Sequence, residues 1–75
     1  MNQTTKINEV ENNVLSDILN AIYRTKFTPK QKNIIIDIIN SALDTMSKAN
    51  EICDFLNIEK RLNRSAIVSI LKQYI

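Results

Sequence analysis

Glycine, histidine and tryptophan are absent from this 75-residue chain, and proline and cysteine occur once each. Each absence excludes something. Without glycine, a turn that needs positive φ must use asparagine or stay loose, and the many tight turns of a β-sandwich or barrel lack their usual hinge residue. Without histidine, the side chain best suited to acid–base work at neutral pH is missing. There is also no Gly-rich phosphate loop and no cluster of metal-ligand type. Glu9 and Glu11, the nearest approach to a carboxylate pair, lie close to the N-terminus, where burial cannot tune them. Cys53, alone, gives no internal disulfide; it fits a reducing cytoplasm and the role of a small buried hydrophobe. Long apolar runs are missing too. "IIIDII", Ile34–Ile39, is broken by Asp37 and is far too short to span a bilayer. Residues 1–15 hold no apolar stretch of the kind a secretory leader carries. No helix pairs a strongly basic face with a bare apolar one, as membrane-surface binding would need. A non-enzymatic cytoplasmic protein, with no cofactor, metal or membrane partner, is expected.

What remains is 44% hydrophobic, enough for one modest core and too much for a disordered tail. The chain holds 13 Ile, 10 Asn and 7 Lys. All three have AT-rich codons, so an AT-rich genome, such as that of a phage, a low-GC bacterium or a mobile element, is a fitting source. Few turn formers and few aromatics favour an all-α fold. The expectation is a single small four-helix domain over residues 1–75, with Met1–Lys6 as a flexible N-terminus. A domain of this size is only marginally stable alone, so a homodimer or another partner would help it.

Helical periodicity divides the chain. Ile7, Val10, Val14, Ile18 and Ile22 line one face of a first helix, Ile7–Arg24, with Leu15 and Leu19 beside them. Glu9 and Glu11 near its start and Arg24 at its end suit the helix dipole. "TPKQ", Thr28–Gln31, is the sharpest local signal: a capping threonine, a proline at the first helical position and a glutamine three residues on. The second helix is expected to run to about Met46. Its wide apolar arc, from Ile34 to Met46, predicts a central element. Ser47 is the expected cap of a third helix carrying Ala49, Ile52, Cys53 and Leu56, which Asn57 would stop. An elbow over Ile58–Leu62 leads to a fourth helix, capped by Asn63 and carrying Ala66, Ile67, Ile70, Leu71 and Tyr74.

Charge is uneven along these elements. From Asn57 onward, Lys60, Arg61, Arg64 and Lys72 face one carboxylate, Glu59, a local charge of +3, whereas Met1–Leu56 sums to −1. Neutralising phosphate with Lys and Arg drives most non-specific affinity for DNA, so a duplex would dock at the last helix.

The stretch "FTPKQKNIIIDIINSALDTMSKANEICDFLNIEKRLNRSAIVSILKQYI" resembles the core of the helix-turn-helix superfamily. It is similar to the winged-helix part of ferric-uptake regulators and, more loosely, to the DNA-binding domain of LuxR-type regulators. The matching pieces are Thr28 and Pro29 opening a supporting helix, then Glu51, Ile52, Leu56 and Ile58, then Ser65–Leu71 as the recognition helix. The resemblance implies binding of double-stranded DNA by a regulatory protein. Arg64 would reach a base edge or a phosphate, Ser65 and Ser69 either one, and Lys60, Arg61 and Lys72 phosphates. Val68 would face outward, within reach of a thymine methyl. The chain departs from these families in three ways. The elbow is longer than in the compact motif, no wing hairpin follows, and the metal ligands of the ferric-uptake regulators are missing. The alternative is a small helical protein–protein interaction module, an adaptor or inhibitor. Its surface would use Phe55, Leu62, Val68 and Tyr74, with Tyr23, Phe27 and Ile75 as further apolar candidates. Phe55 and Tyr74 fit a core position better than a surface one.

Overall fold

The computed structural model describes the backbone of Asn2–Tyr74 and the side chains of residues 11–74. Met1, Ile75 and the side chains of residues 2–10 lie outside the described set, among them Glu9 and the apolar positions Ile7 and Val10. The fold is all-α: α1 Asn2–Ala21, α2 Pro29–Ile39, α3 Thr45–Leu56 and α4 Lys60–Tyr74. Helix accounts for 77% of the chain, and no strand occurs among the described residues. α1 begins at Asn2, ahead of the expected Ile7 and within the stretch expected to be flexible. It also ends before Arg24.

The ends of α1 and α3 show how a chain without glycine stops a helix. Past α1, the Tyr23 N–H donates to the Asn20 carbonyl (3.4 Å) and the Arg24 N–H to the Leu19 carbonyl (2.9 Å). This paired closure needs a left-handed residue, and Tyr23 supplies it at φ 60°. Past α3, the Asn57 N–H donates to the Asp54 carbonyl (3.2 Å) and the Ile58 N–H to the Cys53 carbonyl (3.0 Å), with Asn57 at φ 56°. Asn57 is thus the stop its residue type suggests.

α2 starts as "TPKQ" predicts. The Thr28 hydroxyl accepts from the Gln31 N–H (3.1 Å), and the Gln31 side chain accepts from the Thr28 N–H (3.0 Å). It ends well before Met46. The Ser41 hydroxyl donates to the Ile38 carbonyl (2.6 Å), a local bond that competes with helix continuation. Asp44 then caps α3 by accepting from the Ser47 N–H (2.7 Å). Ser47, the expected cap, therefore lies inside α3. Ala42, Leu43 and Met46 are exposed, so the wide apolar arc of a central second helix does not exist.

α3 instead supplies the largest share of the buried residues. Its Ala49, Ile52, Cys53 and Leu56 are buried, and they meet Val14, Leu15 and Ile18 of α1, Ile35 and Ile39 of α2, and Ile67 and Leu71 of α4. Lys48 is also buried; its ammonium is not among the unsatisfied buried atoms, as when a lysine stem is covered and its head reaches water. α4 packs on both α3 and α1.

Candidate nucleic-acid interface

The connection between α3 and α4 consists of Asn57, Ile58 and Glu59, a three-residue turn of the length found in helix-turn-helix pairs. The left-handed Asn57 reverses the chain, and Ile58 tucks half-buried against the core. Lys60, Arg61 and Leu62, expected in the elbow, already belong to α4. Asn63 does not cap the helix. It lies in the first turn, where its N–H and its side-chain amide both donate to the Glu59 carbonyl (3.1 and 2.8 Å). The sequence implies a longer elbow; the folded chain turns in three residues, because Lys60, Arg61 and Leu62 are already helical.

At 100° per residue, the residues of α4 divide into two faces. Ile67 and Leu71 are buried, and Val68, Ile70 and Tyr74 pack partly against the core. Arg61, Leu62, Arg64, Ser65, Ser69 and Lys72 are exposed. Arg61, Ser65, Ser69 and Lys72 thus share one solvated face, whereas Arg64, exposed as well, lies in the helical stripe of Ile67 and Leu71, turned toward α3 near the start of the helix. Lys60 differs: it is half-buried, and its ammonium lies 2.9 Å from Asp54 of α3. An ion pair this exposed adds little stability, but it holds Lys60 close to the turn.

Two of the apolar candidates are committed inside the fold. Val68 leans on the core instead of facing outward. The Tyr74 hydroxyl donates to the Asp17 carboxylate (2.8 Å), tying the last turn of α4 to α1. That bond pushes the phenol's pKa up, since ionisation would break it beside a negative charge. Leu62 is 79% exposed and Phe55, better suited to a core by type, is 37% exposed. Cys53 is buried, and desolvation, reinforced by Asp54 and opposed by Lys60 and Arg64, pushes its thiol pKa up. A raised pKa leaves little thiolate for chemistry.

A second basic surface lies outside the residues that the sequence pattern singles out. Arg24, Lys26, Lys30 and Lys32 fall within nine residues, and no carboxylate occurs between Asp17 and Asp37. All four are exposed. The net charge of the first 56 residues conceals this group, because the carboxylates that cancel it lie elsewhere in the chain. Arg24 also makes the link between the α1–α2 loop and the turn. Its Nη2 donates to the carbonyl of Leu56 at 3.3 Å, at the end of α3. Lys26 and Lys32 rim a shallow cleft of about 210 Å³ floored by Leu15, Leu19 and Phe27. The cleft of about 340 Å³ beside the turn is different: Asp54 and Glu59 share its lining with Lys60, so it offers no net attraction for an anion.

Among the described residues no group of three His, Cys, Asp or Glu side chains comes together, and no helix is long and apolar enough to cross a membrane. No family model, curated protein or solved structure matches the chain.

Proposed function

We propose that this chain is a non-enzymatic regulatory protein of the cytoplasm that binds double-stranded DNA through the outward face of α4. The observation that carries this reading is the exposed set Arg61, Arg64, Ser65, Ser69 and Lys72 on a helix that follows a three-residue turn. Such a pair of helices lays its second member in the major groove, with N-terminal residues toward the base edges. Arg64 and Ser65 stand in that position. Arg61 and Lys72 neutralise phosphates on either side, and Ser69 donates its hydroxyl to phosphate or a base edge. Lys60 reaches a phosphate only by releasing Asp54. Helix α4 packs on both α3 and α1, so it enters the groove as a rigid unit. An electrophoretic shift with random duplex at low and moderate salt tests the reading. Binding at low salt that weakens with added salt and with Arg64→Ala supports it, and no binding at low salt removes it.

A second reading has its own observation. Leu62 projects 79% exposed from the same face, and Phe55 is 37% exposed on α3. A protein-binding module, whether an adaptor, an inhibitor or a homodimer, would use these two side chains, with Leu43 and Met46 as further exposed apolar groups. Sedimentation of wild type and Leu62→Asp addresses the homodimer form: a dimer that the substitution splits favours it, and a monomer at all concentrations removes it.

A further inference from the structure

We infer that the segment from Tyr23 to Lys30, the α1–α2 loop with the first residues of α2, is a second phosphate-gripping element for the duplex that α4 engages; this rests on the DNA-binding reading above. The starting point is Tyr23. It holds the left-handed position that ends α1, where a side chain costs conformational energy and glycine would cost none. Its ring is 95% exposed, so almost no packing offsets that cost. An exposed aromatic held in an unfavourable backbone region points to a role outside the fold.

Its neighbours share one chemistry. Arg24, Lys26 and Lys30 follow, all exposed, with no carboxylate in the segment. The one ion pair among the described residues is Lys60–Asp54, so these three cations are not spent on acidic partners there. A phenol hydroxyl, a guanidinium and two ammonium groups all donate to phosphate oxygen. The Arg24 bond to the Leu56 carbonyl joins this loop to the end of α3, next to the turn from which Arg61 and Arg64 emerge. One donor of the guanidinium serves that bond, and the rest remain for a phosphate. Backbone contacts of this kind fix the register of a recognition helix without reading sequence, which leaves base reading to Arg64 and Ser65. Duplex DNA is favoured over an acidic protein because the segment offers donors and cations together and is tied to the end of α3, next to the turn that leads into α4.

The test compares four proteins by fluorescence anisotropy with a labelled random duplex over a salt series, each checked for fold by circular dichroism. They are wild type, Tyr23→Gly, the pair Lys26→Gln with Lys30→Gln, and the pair Arg61→Gln with Arg64→Gln. Tyr23→Gly is expected to weaken binding roughly three- to tenfold, the range of one lost hydrogen bond, while the protein stays at least as stable as wild type. The lysine pair is expected to flatten the slope of log K against log salt by about 2, near 0.9 per lost phosphate contact. If Tyr23→Gly and the lysine pair bind like wild type while the arginine pair loses binding, the loop inference is overturned and α4 stands. If only the loop variants weaken binding, the α4 reading falls and the loop contact stands. If wild type binds no duplex at low salt, both fall.

Discussion

Tyr23 and Asn57 hold nearly the same left-handed φ, 60° and 56°, yet they are not equivalent. Asparagine tolerates this region because its short side chain bonds locally, whereas tyrosine bears the full steric cost of about 1–2 kcal/mol. Glycine would remove that cost and add back about 0.4–1 kcal/mol through a freer unfolded chain. Tyr23→Gly is therefore expected to stabilise the fold by about 0.5–1 kcal/mol in urea unfolding; a clear loss of stability would mean that the ring supports the fold after all. Asp44 provides a pH signature. Its carboxylate accepts the Ser47 N–H, which holds its pKa below the ordinary carboxylate range. As pH falls, the unfolded chain takes up this proton before the folded one does. The cap's contribution is thus complete above the ordinary carboxylate pKa and lost as pH falls through Asp44's own lower value. Asp44→Asn keeps a capping side chain and should make the melting temperature fall less steeply with acid than in wild type. Equal acid profiles would show that the cap carries no such dependence.

Among the elements, α3 bears the packing. Ile52 is fully buried in the common core, on a helix that packs against α4 and α2. Ile52→Ala should cost about 2–5 kcal/mol, against a total of about 4–11 kcal/mol for a domain of this length. A large drop in the urea midpoint is the expected outcome, and a drop below about 1 kcal/mol would show that α3 is not the centre of the core. The sequence made this architecture legible wherever a signal was local. "TPKQ" foretells the capping box of Thr28 and Gln31, and Asn57 foretells the end of α3. The errors arose where apolar spacing continued across a break. Ala42, Leu43 and Met46 keep helical spacing with Ile39, but the Ser41 hydroxyl on the Ile38 carbonyl and the Asp44 cap override it. The expected elbow exceeds the real turn for a similar reason. Asn63 has the chemistry of a cap, but the chain had already turned helical at Lys60, and Asn63 serves the first turn from within.

For the molecule as a whole, placement of charge matters more than its total. The net charge of +2 conceals two exposed basic groups, on α4 and on the α1–α2 loop, joined where Arg24 meets the end of α3. The first was legible because Lys60, Arg61, Arg64 and Lys72 share a helix with one carboxylate nearby. Of the outward set Arg64, Ser65, Val68, Ser69 and Lys72, the serines and Lys72 face solvent, Val68 leans on the core, and Arg64 is exposed but in phase with Ile67 and Leu71. The second was not legible from sums over half the chain, and the Arg24–Leu56 contact joins residues 32 apart in sequence. Titration of a labelled random duplex with the whole chain across a salt series brings these features together. The expected result is saturable binding at low salt, with log K falling against log salt at a slope of about −3 or steeper, made shallower by about 1 in Arg64→Ala. Absence of binding at low salt, or a slope that Arg61→Ala and Arg64→Ala leave unchanged, would contradict a DNA-binding α4.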